Sequence, residues 1–122
     1  MNVLFITKAQ QNKSDIDSFL QTNRVEFDMT DDQLIGIQKA HQSKFDVVVM
    51  DAELNNDQID KAIRIFKNCN PNVRIIVRTD INSRELEILV RKEHIFYYHL
   101  NSFGNQEFQS ALSSALELNK TH

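Results

Sequence analysis

The chain has 122 residues, of which 41% are hydrophobic and 25% are charged, and its formal net charge is −3. These values are typical of one globular domain, and with a single cysteine they exclude a disordered, collagen-like or disulfide-built protein. No apolar run approaches the roughly 20 residues that span a bilayer, and the 14 basic residues form no basic stripe. We therefore expect no membrane or nucleic-acid partner, and a location in the cytoplasm.

The first half of the chain alternates predicted strands and helices. Residues 2–6, of which 3–6 are continuously apolar, predict a strand buried on both faces, whereas residues 24–29 alternate apolar and charged side chains, as an edge strand does. Between them, apolar residues at helical spacing follow Ser14, a predicted helix cap. Thr30 begins a capping-box pattern for a second helix, whose apolar stripe is predicted to contain Leu34, Ile37 and His41.

The most informative stretch is FDVVVMDAEL, at residues 45–54. Its run of consecutive apolar and mostly β-branched residues predicts a central strand of a parallel sheet, and Asp51 follows directly. Open α/β folds bind ligands at the carboxyl edge of the sheet, so Asp51 is the first candidate functional residue. Without other polar strand ends nearby, the same carboxylate would be an ordinary loop or helix-capping residue.

The second half of the chain repeats the alternation. Residues 59–66 carry apolar side chains at helical spacing, and residues 73–78 predict a fourth strand after the only proline. Asn82 or Ser83 is a predicted cap for a fourth helix. Residues 95–100 predict a fifth strand, and the apolar pattern that follows predicts a last helix.

Five strands that alternate with five helices predict a single domain over residues 1–122. Short connections force parallel pairing through right-handed crossovers, and therefore an α/β sheet covered by helices on both faces. We predict a flavodoxin-like (βα)5 three-layer sandwich with strand order 2-1-3-4-5, because this order places the alternating second strand at an edge.

Several residue types that often mark reactive sites have structural interpretations here. Cys69 has no cysteine or histidine near it in the sequence, which favours packing at a helix end. His41 has no second ligand four residues away, so we do not assign it to a metal site. Gly36 and Gly104 do not form a phosphate-binding loop after the first strand, and no nucleophile elbow is present.

The predicted carboxyl edge collects a small set of polar residues. Thr7 and Lys8 follow the first strand, Asp51 the third and Thr79 the fourth, and His99 lies near the end of the fifth. In this layout, over essentially its full length, the chain resembles the receiver domains of bacterial two-component response regulators, and NPNVRIIVRT resembles their fourth strand. The resemblance implies a signalling domain in which the aspartate after strand three accepts a phosphoryl group from a histidine kinase.

The resemblance also implies roles for the neighbouring positions. Thr79 matches the hydroxyl that hydrogen-bonds the phosphoryl group, and Phe96 matches the switch aromatic. The strand-five lysine corresponds to His99, which carries a full charge only below about pH 6.5. The acidic pair that holds magnesium corresponds to Thr7 and Lys8, and an ammonium repels the ion. We therefore predict that magnesium binding is lost and that the chain has no cofactor.

Three functions are compatible with the sequence. The leading hypothesis is a degenerate receiver, not an enzyme, that signals through contacts with other proteins. The second is a working receiver phosphorylated on Asp51 by a histidine kinase, and the third is a flavodoxin-fold enzyme that binds a cofactor or a small molecule. In the degenerate receiver, Lys8 is expected to pair with Asp51 as a built-in cation.

We also expect weak self-association. Receivers commonly pair through the fourth helix, fifth strand and fifth helix. The fourth helix and its end carry mixed charges suited to a self-complementary contact: Arg84, Glu85, Glu87, Arg91, Lys92 and Glu93.

Overall fold

The structure, a computed structural model, describes residues 1–8, 13–54 and 58–118, with the side chains of residues 13 and 14 excepted. Its strands form one parallel sheet in the order β2-β1-β3-β4-β5. The strands are β1 (Asn2–Ile6), β2 (Glu26–Thr30), β3 (Val47–Asp51), β4 (Arg74–Thr79) and β5 (Tyr97–Leu100). The helices are α1 (Lys13–Thr22), α2 (Gln33–Gln42), α3 (Ile59–Cys69), α4 (Arg84–Arg91) and α5 (Asn105–Ala115). The predicted α/β flavodoxin-like fold and strand order are confirmed.

The sheet separates two hydrophobic cores. Leu4, Val48 and Met50 point to one core, which also receives apolar side chains of α2, α3 and α4. Phe5 and Val49 point to the other, which is covered by α1 and α5. Strands β1 and β3 are therefore buried on both faces, and this explains their continuous apolar sequences.

The ends of several elements differ from the sequence prediction by one or two residues. Strand β2 begins at Glu26, because the backbone of Arg24 has a φ of 57° and forms the turn before it. Strand β5 begins at Tyr97 instead of residue 95. Ser83, and not Asn82, caps α4: its Oγ accepts a hydrogen bond from the backbone N–H of Leu86 at 3.2 Å. The predicted cap at Ser14 lies outside the described side chains.

The start of α2 also differs from the prediction. Thr30 is the last residue of β2, so it does not cap the helix. The cap is Asp32, whose Oδ1 accepts hydrogen bonds from the backbone N–H groups of Leu34 and Ile35 at 2.8 and 3.3 Å. The carboxylate satisfies two of the free N–H groups at the helix start, and its charge complements the helix dipole.

The apolar stripe predicted for α2 is wrong at two of its three positions. Leu34 is 71% exposed and His41 is also exposed, whereas Ile37 packs against the core. Gly36 is the buried residue of this helix, and a Cβ there would lie 2.7 Å from Cδ1 of Ile6. The helix is oriented about its axis so that this glycine, and not a large side chain, contacts β1.

None of the helices in the described part of the chain has the length and hydropathy needed to cross a bilayer.

Candidate functional site

Asp51 is the last residue of β3 and the centre of the candidate site. Its side chain shares a sheet face with Val49, toward α1 and α5, and the residue is 7% exposed. Nε of Arg78 donates a hydrogen bond to Oδ1 at 3.1 Å, and the backbone N–H of Lys8 donates to Oδ2 at 3.1 Å. Burial raises the pKa of Asp51 above its ordinary value, while the charge of Arg78 and these hydrogen bonds oppose that rise.

Arg78 is the direct neighbour of Asp51 on β4 and provides the cation of the site. Its side chain is 13% exposed, and its guanidinium carbon lies 4.7 Å from the centre of the Phe108 ring. The ring on α5 and the carboxylate on β3 together fix the guanidinium. Because a guanidinium stays protonated at every ordinary pH, the cleft contains a permanent positive charge against Asp51.

The predicted ion pair between Lys8 and Asp51 is wrong in the identity of the cation. Lys8 is exposed and contacts Asp51 through its backbone N–H. The salt bridge to Asp51 comes from Arg78, and the charges that act on the pKa of Asp51 are those of Arg78 and Glu53. The physical reason is register: Arg78 faces Asp51 on the same side of adjacent strands, whereas Lys8 follows the end of β1.

Thr79 ends β4 and contacts a carboxylate that the sequence prediction did not include. The residue is 1% exposed, and its hydroxyl donates a hydrogen bond to Oε2 of Glu53 at 2.6 Å. Glu53 lies in a short 3-10 helix, Ala52–Leu54, that directly follows β3. The same Oε2 also accepts the backbone N–H of Asp80 at 3.3 Å.

His99 lies beside Arg78 in the register of β4 and β5. The residue is 2% exposed, its ring centre is 5.5 Å from that of Phe108, and its buried Nδ1 has no hydrogen-bond partner within the described structure. Burial lowers the pKa of His99, and the nearby charge of Arg78 lowers it further. His99 is therefore neutral at pH 7 and does not replace the charge of the strand-five lysine that the resemblance implies.

The structure places Thr7 at the same edge and Phe96 away from it. Thr7 is 4% exposed, and its backbone N–H donates to the carbonyl oxygen of Thr30 at 2.9 Å. Phe96 precedes β5, at the amino-terminal end of that strand, and is 41% exposed. The guanidinium carbon of Arg74 lies 5.4 Å from its ring centre. The role of Phe96 as a switch aromatic stays a prediction.

The side chains around Asp51 do not fit magnesium. Magnesium prefers an octahedral set of oxygens that includes carboxylates, and neither Thr7 nor Lys8 has one. Both oxygens of Asp51 already accept hydrogen bonds, one of them from a guanidinium. Over the described ranges, no group of three or more His, Cys, Asp and Glu side chains is arranged to hold a metal ion.

Cys69 is the last residue of α3, at a helix end as predicted, and it has a histidine near it in space although none lies near it in the sequence. Its Sγ lies 3.6 Å from Nδ1 of His41, which comes from the end of α2. Two side chains are too few for the four-coordinate sites that bind zinc in proteins, so this contact does not make the pair a metal site.

Sequence reasoning missed Arg78 and Glu53. A signal for Arg78 was present, because a charged residue within an interior strand needs a partner when it is buried. Asp51, on the neighbouring predicted strand, was the available carboxylate. Glu53 gave no comparable signal, since its contact with Thr79 depends on the 3-10 helix after β3.

Comparison with known proteins supports the fold assignment. No protein-family model matches the chain, and no curated protein matches it. A two-component response regulator from Clostridium difficile is 16% identical with a TM-score of 0.81, over 98% of each chain. An orphan response regulator of H. pylori is 16% identical with a TM-score of 0.81, over 95% of this chain and 96% of its own.

A third solved structure has a different description. A putative pilus assembly-related protein from Burkholderia pseudomallei is 13% identical with a TM-score of 0.75, over 99% of this chain and 92% of its own. The chain thus has the fold of response-regulator receiver domains, and the resemblance stated from the sequence is confirmed at the level of fold.

Proposed function

We propose that the chain is a receiver-like signalling domain of the two-component type that has lost phosphoryl chemistry and acts through contacts with other proteins in the cytoplasm. The observation that carries this proposal is that both carboxylate oxygens of Asp51 already accept hydrogen bonds from the chain itself. A permanent cation of the chain itself lies 3.1 Å from one carboxylate oxygen, and a backbone N–H donates to the other. The proposed activity is protein binding and not enzymatic catalysis.

The charges of the cleft support the loss of phosphoryl transfer. That reaction depends on positioning and on neutralisation of the transferred group by metal and cation. In this cleft the guanidinium of Arg78 is paired with Asp51, His99 is neutral at pH 7, and Lys8 replaces one of the acidic residues that hold magnesium in the family. We propose that magnesium binding is lost together with the reaction.

A working receiver is the second candidate, because Asp51 ends β3, the position that the resemblance assigns to the phosphoryl acceptor. In that case Arg78 would have to leave Asp51 and neutralise the phosphoryl group. A histidine kinase would then be the partner.

The likeness to a putative pilus assembly-related protein is compatible with an adaptor that binds components of an assembly.

Backbone amide signals provide the experiment that separates the two candidates. We expect no saturable shifts at the ends of β1, β3 and β4 when millimolar magnesium is added, with or without beryllofluoride, which imitates a phosphoryl group. Asp51→Asn provides the matched control, because it removes the charge that either ligand needs. Saturable shifts that occur in the unmodified chain and disappear in Asp51→Asn would favour the working receiver.

The surface of α4 is a candidate contact between two copies of the chain. Glu87 pairs with Arg91 at 2.7 Å and Glu93 with Arg64 at 3.0 Å, so part of the mixed charge is satisfied within the chain. Ile88 on the same helix is 48% exposed. We propose a weak dimer through this face. We expect sedimentation equilibrium to show an average mass that rises with concentration. A constant monomer mass up to the highest accessible concentration would contradict it.

A further inference from the structure

A short hydrogen bond joins Thr79 and Glu53 at the carboxyl edge of the sheet. The Thr79 hydroxyl has two acceptors within reach: Oε2 of Glu53 at 2.6 Å and the carbonyl oxygen of Ile81 at 3.1 Å. A hydrogen bond to a charged oxygen is shorter and about twice as strong as one to a neutral oxygen. The hydroxyl therefore donates its single proton to Glu53, while its own oxygen accepts the backbone N–H of Ile81 at 3.2 Å.

The Glu53 carboxylate holds the turn after β4 through two hydrogen bonds. It accepts the hydroxyl of Thr79 and the backbone N–H of Asp80, and the Asp80 side chain in turn accepts a hydrogen bond from Asn101 at 2.7 Å. One negative group that follows β3 thus fixes a loop that follows β4 and links it to the end of β5.

This turn leads directly to α4. Glu53 and Thr79 line an open groove of about 410 Å³, together with Ile81, Ser83, Glu85, Leu86 and Leu89. Ser83 caps α4, and Leu86 and Leu89 belong to the face of the helix that packs against the core. A change in the Glu53 contact would therefore alter the surroundings of the first residues of α4, the helix proposed above as a contact between two copies of the chain.

The chemical comparison with a receiver is direct. In that family, the hydroxyl at the end of strand four hydrogen-bonds the phosphoryl group on the aspartate that ends strand three. Here the hydroxyl at the end of β4 hydrogen-bonds a carboxylate two residues after that aspartate. Both acceptors are anionic oxygens attached to the segment at the end of β3. The charge of Glu53 also acts on Asp51, since it contributes to the raised pKa of that residue.

We propose that Glu53 is a built-in substitute for the phosphoryl group: its carboxylate holds Thr79 and the following turn in one arrangement, so α4 presents its binding surface without phosphorylation. This inference rests on the proposed function, because it concerns how a receiver-like domain without phosphoryl chemistry keeps one signalling state. The surface concerned is the face of α4 that is proposed above as a contact between two copies of the chain.

Amide spectra and hydrogen exchange of four single variants and one double variant test this inference. Glu53→Ala removes the acceptor, Thr79→Val removes the donor at nearly constant volume, and Glu53→Gln keeps an acceptor oxygen but loses the charge. Asp31→Ala is the matched control, because Asp31 is an exposed carboxylate just after β2. We expect exchange at Asp80 to accelerate about tenfold in Glu53→Ala, since a hydrogen bond to a charged group is lost.

The decisive signals are those of Arg84–Arg91. Glu53→Ala and Thr79→Val should shift the same amides in the same direction, the double variant should shift them no further, and Glu53→Gln should lie between Glu53→Ala and the unmodified chain. Unchanged α4 signals in Glu53→Ala, or shifts of the two single variants that simply add, would overturn the inference. No phosphoryl donor is used, so this result is independent of whether Asp51 accepts a phosphoryl group, on which the proposed function depends.

Discussion

Replacement of Arg78 by methionine should lower the free energy of unfolding by about 3 kcal/mol, because removal of one partner leaves the other as an uncompensated buried charge. The side chains of Arg78 and Asp51 are only 13% and 11% exposed, so water replaces little of the lost interaction. Methionine retains most of the apolar stem of arginine, which limits the loss of packing against Phe108. Urea unfolding at pH 7 provides the measurement.

A second ion pair provides the matched control. Arg91 pairs with Glu87 at 2.7 Å, but these side chains are 55% and 36% exposed. Arg91→Met should therefore cost less than about 1 kcal/mol, as exposed pairs do. The double variant Arg78→Met with Asp51→Asn should recover more than half of the stability lost in Arg78→Met, because the unpaired charge is then absent. Equal losses in Arg78→Met and Arg91→Met would contradict the structural role of the buried pair.

The cost of Arg78→Met should also depend on pH in a definite direction. Burial already raises the pKa of Asp51 in the folded chain, and loss of the opposing charge of Arg78 raises it further. Below the unfolded pKa of about 3.9, Asp51 is protonated in both states and the cost of its unpaired charge is absent. As the pH rises through the folded pKa, folding must bury an ionised Asp51, so stability is lost. A cost that does not change between acidic and neutral pH would exclude this explanation.

Reversal of the charge at Lys8 and removal of the charge at Arg78 should together restore phosphoryl chemistry in part. The variant Lys8→Asp with Arg78→Met places a second carboxylate near Asp51 and removes the guanidinium that competes with a metal, which makes an oxygen site more suited to magnesium. With acetyl phosphate and magnesium, we expect this variant to form an acyl phosphate on Asp51 at least about a hundredfold faster than the unmodified chain. This factor follows from the size of single electrostatic contributions to catalysis. Lys8→Ala with Arg78→Met is the matched control, since it removes both cations without a new carboxylate.

The fold could be predicted from the sequence because it depends on hydrophobic patterns that extend over many residues. The continuous apolar stretches of β1 and β3 predicted strands buried on both faces, and the alternation in β2 predicted an edge strand; both are confirmed. Helix α2 shows the limit of this reasoning. Its rotation is set by the close approach of Gly36 to Ile6, which no apolar periodicity in that helix encodes.

The site was predicted less completely because it depends on individual contacts. The sequence placed Asp51 and Thr79 at one edge of the sheet, as the structure does. It did not provide the cross-strand register that brings Arg78 to Asp51, nor the 3-10 helix that brings Glu53 to Thr79. A lysine was therefore expected where an arginine from the neighbouring strand supplies the charge.

Mass spectrometry of the unmodified chain after incubation with acetyl phosphate and magnesium tests the loss of phosphoryl chemistry most directly. The salt bridge between Arg78 and Asp51, together with the absence of an acidic pair at Thr7 and Lys8, predicts no phosphoryl adduct on Asp51 under conditions in which the variant Lys8→Asp with Arg78→Met is modified. A phosphoryl adduct on the unmodified chain that disappears in Asp51→Asn would show that Asp51 is a working acceptor and would contradict the proposed function.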